Sequence, residues 1–201
     1  ELAELMGLPC LASDEFEADD LIGSIAAHAQ DQGVPVVILS TDKDLSQLVH
    51  EACHIDPFHS PTKLDLMAFQ QQYGFAPALL ADFLALAGDP VDNIPGIQGI
   101  GKKTAQRLVA EWGALEAVFD TLDQGVTLKG VRGFESVKSK LVAGRETAFL
   151  FRELTRIYRN APVPAKRSQW QIQKPDKQQL TTALKRWSME KRLQTLLTMV
   201  D

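Results

Sequence analysis

Apolar positions follow two different periods in the first half of the chain. Residues 17–32 carry apolar side chains at helical spacing, and Gly33 follows as an expected helix stop. Residues 34–39 are apolar and rich in β-branched side chains, which predicts a strand buried on both faces. The sequence predicts two more short strands, at residues 8–12 and 53–58. It also predicts a short helix that ends at residue 49 and two longer helices at residues 65–73 and 78–87. Strands that alternate with helices indicate an α/β layer with a parallel sheet.

The pattern changes after residue 88 to helices joined by short links. Apolar spacing predicts four helices at about 102–112, 114–121, 133–142 and 145–157, with a glycine-rich basic loop at 123–133. Residues 158–175 contain three prolines and predict an extended connection, and residues 176–199 predict a basic final helix. The sequence therefore predicts an α/β core followed by an all-α region.

Composition narrows the class of protein. The chain has 201 residues and 45% apolar content, which is typical of a folded protein. It contains no apolar run of membrane length and no signal peptide, so we expect a cytoplasmic protein without a membrane partner. The two cysteines, Cys10 and Cys53, lack metal-site spacing and should be core thiols. The four histidines lack HExxH spacing and should be ordinary imidazoles: His28, His50, His54 and His59.

The net charge of −5 conceals a strong asymmetry. Residues 1–95 hold 2 Lys/Arg and 16 Asp/Glu, whereas residues 96–201 hold 19 Lys/Arg and 10 Asp/Glu. The two parts therefore carry net charges of −14 and +9. An acidic half joined to a basic half suggests that one collects cations and the other a polyanion, although solvated helix faces could give the same totals.

The acidic residues cluster in three short motifs, EADD, TDKD and GDPVD. These motifs supply Glu17, Asp19, Asp20, Asp42, Asp44, Asp89 and Asp92. The second motif follows the predicted strand at 34–39, and ligands of α/β sheets bind beyond the carboxyl ends of strands. Taken singly, the first group could be acids of a helical first turn, and Asp89 could be a helix cap.

Convergence of these carboxylates would require cations, because like charges repel one another and raise each other's pKa values. Ligation by oxygen alone selects Mg²⁺ or Mn²⁺, and the absence of Cys or His argues against zinc. One or two such ions, about 3.5–4 Å apart when paired, activate water for phosphodiester cleavage. The sequence contains no recognisable motif for a covalent nucleophile, which agrees with water as the attacking group.

The segment GIQGIGKKT places a glycine turn before a basic helix and resembles a helix-hairpin-helix. Glycine lets backbone N–H groups approach a phosphate, and the helix N-terminus points its N–H groups the same way. Such contacts read no base, so binding should be salt-sensitive and sequence-independent. Turn carbonyls could also bind a monovalent cation. One alternative is a plain helix–helix turn. Another is a dinucleotide-binding fingerprint, but this segment lacks the glycine spacing of that fingerprint and the strand that should precede it.

Together these residues carry a family resemblance. The segments FEADDLIGS, STDKDLSQLV, DFLALAGDPVDNIPGIQGIGKKTAQRLV and EWGALEAVFD resemble the bacterial 5′-nuclease (flap endonuclease) family, over about residues 6–160. That family includes the 5′→3′ exonuclease domain of DNA polymerase I, phage flap endonucleases and stand-alone exonuclease IX-like proteins. The resemblance implies a PIN-like α/β core, a helix-3-turn-helix and a role in DNA replication and repair.

The resemblance also implies roles for particular residues. The seven acids match the family's three metal-binding clusters, and Asp19, Asp42 and Asp44 match catalytic positions. A K⁺ site would use the backbone carbonyls of Leu86, Ala87, Pro95, Ile97 and Ile100. DNA contacts would come from Gly96, Gly99, Ile100, Gly101, Lys102, Lys103 and Thr104. The family's first strand, with a further metal-binding Asp, and its helical arch would precede Glu1, so we expect this chain to lack the N-terminal part.

We therefore predict a metal-dependent 5′→3′ exonuclease or 5′-flap endonuclease, acting as a monomer on duplex DNA with a 5′ end or flap. Its parts would be an acidic nuclease core at 1–88, a helix-3-turn-helix region at 89–160 and a basic extension at 161–201. One alternative is a non-catalytic, structure-specific DNA-binding module. Another is a haloacid-dehalogenase-type phosphatase, because DKDLS and GDPVD approximate its signatures, but the spacing differs and the glycine hairpin stays unexplained.

Overall fold

The computed structural model describes residues 1–58, 61–129, 131, 133–164, 166–189 and 195. Its first part contains helices α1 (Leu2–Leu5), α2 (Ala18–Asp31) and α3 (Leu66–Tyr73), strands β1 (Val36–Leu39) and β2 (Cys53–Asp56), and a 3-10 turn over Asp44–Leu48. The predicted helices at 17–32 and 65–73 and the strands at 34–39 and 53–58 are thereby confirmed in slightly shorter form. None of the helices among the described residues is long and apolar enough to cross a bilayer.

The two strands are parallel, with Val36 opposite Cys53 and Leu39 opposite Asp56. A small core forms where Ile38 of β1 and Ile55 of β2 pack with Leu45 and Leu48 of the 3-10 turn. Such a pair of strands needs this cover, since a two-stranded sheet is marginal by itself. Among the described residues the two strands form one sheet, and the TDKD motif follows the carboxyl end of β1.

The prediction that residues 34–39 are buried on both faces is wrong. The side chains of Val37 and Leu39 are 52% and 59% exposed, whereas that of Ile38 is 5% exposed. The apolar run indicated a strand correctly, but composition cannot tell how many layers cover it. Here α2 and the 3-10 turn cover one face.

The second part is helical. It comprises α4 (Leu80–Ala87), preceded by a 3-10 turn at Pro77–Leu79, and α5 (Lys102–Trp112), α6 (Leu115–Asp123), α7 (Phe134–Ala143), α8 (Arg145–Thr155) and α9 (Lys177–Arg186). The predicted helix at 102–112 agrees at both ends. Helix α4 is apolar on nearly all sides because it packs against α5 and α8 at the centre of the larger core.

An ion triad of the buried Asp82 and Arg152 with the exposed Glu116 fixes α4 against its neighbours. Asp82 of α4 is 3% exposed and accepts a hydrogen bond from the Leu115 backbone N–H at 2.9 Å. Arg152 of α8 reaches Asp82 at 3.3 Å and Glu116 of α6 at 2.7 Å. Three helices are thus joined at one point, which positions the loop that follows α4.

The segment after α8 returns to the first part of the molecule. The Gln47 side chain donates to the Thr155 carbonyl and accepts from the Ile157 N–H, at 2.8 and 3.3 Å. The buried hydroxyl of Ser24 accepts from the Ala161 N–H at 2.8 Å. We call residues 155–161 the return segment; it joins the helical part to α2 and the 3-10 turn.

Three smaller predictions are wrong. Residues 8–12 form no strand; Pro9 has no N–H to donate to a sheet, and Leu8 and Leu11 are exposed. Cys10 is exposed rather than a core thiol, whereas Cys53 is buried as predicted. The predicted extended connection at 158–175 contains a 3-10 turn at Arg167–Trp170.

The predicted final helix at 176–199 begins at Lys177 and ends at Arg186, where Ser188 takes a positive φ of 55°. Residues 190–194 and 196–201 lie outside the described residues, as do His59 and two positions, 130 and 132, of the predicted basic loop. The division at 88/89 and 160/161 stays a prediction.

Candidate metal centre and nucleic-acid interface

The acidic motifs converge on one cavity of about 580 Å³. Six of the seven predicted acids line it: Glu17, Asp19, Asp20, Asp42, Asp44 and Asp92. They arrive from three elements: the N-terminus of α2, the loop after β1 and the loop after α4. The carboxyl end of β1 supplies the central pair, as expected for a ligand site of an α/β sheet. We call this the acidic cavity.

Asp89 is buried and is not among the residues that line the acidic cavity. Its residue is 1% exposed, and its backbone pairs with Ile94 in a tight loop, with N···O distances of 2.7 and 2.9 Å. One carboxylate oxygen accepts from the Val91 N–H at 3.1 Å. The other lies 2.6 Å from the ammonium nitrogen of Lys43.

Lys43 contacts three carboxylates at once. Its ammonium nitrogen lies 2.6 Å from Asp89 Oδ2, 3.5 Å from Asp44 Oδ1 and 3.6 Å from Asp92 Oδ2. One carboxylate oxygen from each of these three acids lies within 4.8 Å of the others. Apart from Lys43, no hydrogen-bond donor among the described residues satisfies the buried Oδ1 of Asp44 or Oδ2 of Asp89. A hard cation with oxygen ligands fits this group, which we call the carboxylate triad.

The electrostatics of the acidic cavity follow from this crowding. Burial, and then the charges of Asp42, Glu17, Asp20 and Asp92, raise the pKa of Asp19. Burial and a hydrogen bond with Asp92 raise the pKa of Asp44 to about 7. The cavity therefore concentrates negative charge that a cation would neutralise.

The pKa values of Asp89 and Lys43 shift so that both groups stay charged: that of Asp89 is lowered and that of Lys43 is raised. Burial opposes ionisation of Asp89, but the Lys43 ammonium, the Val91 N–H and Asp92 together lower the pKa of that carboxyl. Burial similarly disfavours the charged form of Lys43, yet the hydrogen bond to Asp89 and the charges of Asp44, Asp89 and Asp92 raise the pKa of its ammonium. The pair is therefore ionised, and Lys43 is a cation held inside the acidic loops.

Asp20 is engaged by backbone groups on both oxygens. Oδ2 accepts from the Glu17 N–H at 3.3 Å, and Oδ1 accepts from the Tyr158 N–H at 2.8 Å. The first contact is a helix-capping interaction, and the second fixes the return segment. Its predicted role as a metal ligand stays a prediction, and the structure adds a structural role that the sequence did not reveal.

The glycine hairpin lies between α4 and α5 and depends on close backbone approach. Gly96 has φ +68°, and a Cβ there would lie 2.3 Å from the Gly88 nitrogen and 2.7 Å from the Ala87 carbonyl carbon. The Ile97 N–H donates to the Leu86 carbonyl at 3.0 Å. The backbone at 86–88 therefore packs directly on that at 95–97, which brings together four of the five residues predicted to bind K⁺, all except Ile100.

The start of α5 presents the predicted DNA-binding groups to solvent. Gly101, Lys102 and Lys103 are exposed, and no side chain caps the helix. Ile97 and Ile100 are buried at 5% and 3% exposure and anchor the hairpin, whereas Gln98 and Gly99 between them are exposed. A helix N-terminus arranged in this way attracts phosphate.

Sequence reasoning missed several residues beside these sites. Lys43 lies within the TDKD motif, but the sequence indicated a role only for its neighbours Asp42 and Asp44. Arg156 and Leu154 also line the acidic cavity, and they are more than 60 residues from the acidic motifs in the sequence, so no local pattern could indicate their role. A cavity of about 540 Å³ beside the hairpin brings Ser136 and Lys140 of α7 next to Gly99 and Lys103. Lys140 therefore adds a positive charge beside the hairpin, and Ser136 adds a hydroxyl.

Two family models match the chain. The model described as "5′-3′ exonuclease, N-terminal resolvase-like domain" matches residues 1–74. The model described as "5′-3′ exonuclease, C-terminal SAM fold" matches residues 75–178.

Curated relatives are DNA polymerases I. That of Thermus thermophilus is 43% identical over 164 residues, which cover 81% of this chain and 18% of the polymerase. That of Pseudomonas aeruginosa is 40% identical over 153 residues, covering 76% and 17%. The chain thus spans about a fifth of the length of these relatives.

Solved structures share the fold. The catalytic core of Rad2 in complex with a DNA substrate matches with a TM-score of 0.65 and 16% identity, covering 100% of this chain and 67% of that one. Bacteriophage T5 5′-exonuclease with bound divalent zinc ions matches with a TM-score of 0.61 and 20% identity, covering 95% and 62%. These likenesses confirm the predicted PIN-like α/β core followed by a helical region.

Proposed function

Because the chain belongs to the 5′-3′ exonuclease family, we propose that it hydrolyses DNA phosphodiesters as a divalent-metal-dependent 5′→3′ exonuclease or 5′-flap endonuclease. The observation that carries this proposal is the acidic cavity, where six carboxylates from three separate motifs meet. The T5 5′-exonuclease, whose fold this chain shares, is recorded with divalent metal ions, and the Rad2 core is recorded with DNA.

One or two Mg²⁺ or Mn²⁺ ions would be held by four carboxylates, those of Asp19, Asp42, Asp44 and Asp92. The remaining candidate ligands are Glu17, Asp20 and Asp89. When bound, such ions polarise a water molecule and the phosphate. The carboxylates that hold the ions would also orient that water for attack on the phosphate. Asp19, Asp42 and Asp44 are our proposed catalytic residues.

The hairpin would hold the duplex. Backbone N–H groups at Gly96, Gly99 and Gly101 would contact phosphate, and Lys102, Lys103 and Thr104 would add side-chain contacts. We propose that Leu86, Ala87, Pro95, Ile97 and Ile100 bind K⁺ through their carbonyls beside that phosphate. Asp92 and Gly96 belong to one short loop, so the loop would fix the distance between the cut and the held phosphate. The protein would act as a monomer in the bacterial cytoplasm.

The proposal is tested with 5′-labelled DNA as a flap, a blunt duplex and a single strand, each with Mg²⁺, Mn²⁺ or EDTA. We expect cleavage of the flap or duplex that requires the metal and is lost in Asp42→Ala and Asp44→Ala. Asp31→Ala is the matched control, since Asp31 is an exposed acid at the opposite end of α2 from Asp19. Full activity in both cavity variants, or cleavage in EDTA, would refute the proposal.

A further inference from the structure

Lys43 occupies the centre of the carboxylate triad. Its ammonium nitrogen lies between 2.6 and 3.6 Å from one oxygen each of Asp44, Asp89 and Asp92. Those acids are the same three whose oxygens come within 4.8 Å of one another. A small divalent ion bound by all three would stand about 2.0–2.1 Å from their oxygens, in the space that the ammonium takes.

The two cations cannot share that position. A divalent ion and an ammonium group within a few ångströms repel each other, and the interior of the loop screens this repulsion less than water does. Lys43 can move, because its side chain is 41% exposed and flexible, whereas Asp89 is 1% exposed and held by its own loop. A bound ion would therefore displace the lysine rather than the aspartate.

We propose that Lys43 is a built-in competitor for the divalent ion: its ammonium neutralises the carboxylate triad without metal and swings out when metal binds. Lys43 is thus a positioning residue that keeps Asp89 and Asp92 in place until the ion arrives. This inference rests on the proposed function only in taking the triad as a metal site.

Removing the ammonium should make Mn²⁺ bind more tightly. We expect Lys43→Met to raise the affinity measured by titration calorimetry by about tenfold, within the range usual for coupled binding. Lys63→Met is the matched control, since Lys63 is the other lysine of the acidic half and pairs with Asp65 at 3.5 Å. It should leave Mn²⁺ affinity unchanged, and Lys43→Arg, which keeps the charge, should not raise it.

Two further measurements keep the test independent of folding and of nuclease activity. Lys43→Met should melt at a lower temperature than wild type in EDTA, because Asp89 loses its counter-charge, and should gain more from Mn²⁺ than wild type does. If Lys43→Met does not fold, Lys43→Gln, which keeps a donor for Asp89, replaces it with the same expectation. In ¹³C-lysine-labelled wild type, the Lys43 side-chain signal should shift when Mg²⁺ is added.

The outcomes separate this inference from the proposed function. Equal Mn²⁺ affinity in wild type and Lys43→Met, or an unmoved Lys43 signal with Mg²⁺ bound, overturns the inference alone. Tighter Mn²⁺ binding without any DNA cleavage supports the inference and overturns the proposed function. Failure of both proteins to bind Mn²⁺ overturns both.

Discussion

Replacing Arg152 with methionine should destabilise the protein by roughly 2–4 kcal/mol, a little below the usual cost of breaking a buried ion pair. Arg152 is 8% exposed and is the cation shared by Asp82 and Glu116, at 3.3 and 2.7 Å. Methionine preserves most of the volume, so the change chiefly removes charge. Asp82 would then be buried, at 3% exposure, with the Leu115 N–H as its remaining hydrogen bond.

Asp82 and Glu116, the two acids that share Arg152, differ in burial, so we expect substitutions of their ion pairs to differ in their cost to stability. Glu116 has a side chain that is 57% exposed and can turn to water, so Glu116→Gln should cost less than about 1 kcal/mol. Urea unfolding followed by circular dichroism measures both variants, and the slope against urea should stay unchanged if the folded state is intact. An Arg152→Met protein as stable as wild type within about 0.5 kcal/mol, or a larger loss in Glu116→Gln, would refute this reasoning.

Three other predictions concern the hairpin, its basic helix and the acidic cavity. Gly96→Ala should cost about 1–3 kcal/mol and weaken duplex binding, because Gly96 has a positive φ and an added Cβ would meet the backbone of Ala87 and Gly88. Gly101→Ala, with open space around the added Cβ, should leave the melting temperature unchanged. Thermal melting and duplex-binding assays measure these effects. Lys103→Gln should reduce the slope of log affinity against log salt for duplex DNA by about 1, whereas Lys63→Gln should not, as filter binding at several salt concentrations would reveal. Burial raises the pKa of Asp44 to about 7, so the metal-free folded state keeps a proton that the unfolded chain releases above pH about 4. The free energy of unfolding in EDTA should therefore fall as the pH rises from about 4 to 7. Asp44→Asn should reduce this fall, as measured by urea titrations at several pH values. A fall of equal size in the variant would contradict the raised pKa of Asp44.

Local signals predicted much of the fold. Helix α5 begins and ends where glycine flanks it, at Gly101 and Gly113, so its limits were readable from the sequence. The acids of the cavity were found because each group follows a recognisable strand or helix boundary. Periodicity and turn chemistry are properties of neighbouring residues, and they are therefore visible without tertiary contacts.

Features that depend on distant contacts were not predictable. The exposure of Val37 and Leu39 depends on which layers cover β1, and the second role of Asp20 depends on Tyr158, far along the chain. Lys43 illustrates the same point: its charge was visible, but its place among three carboxylates depends on the loop after α4. Sequence patterns identify the groups, whereas the tertiary fold decides their partners.

The central claim is that the acidic cavity cuts DNA while the hairpin holds it. The most direct test is the single-turnover cleavage rate of a labelled 5′-flap duplex, at saturating protein and with Mg²⁺. We predict that Asp42→Asn abolishes this rate while still binding the duplex, and that Lys103→Gln retains the rate once its weaker binding is saturated. Cleavage by Asp42→Asn at the wild-type rate, or loss of cleavage in fully bound Lys103→Gln, would contradict the account.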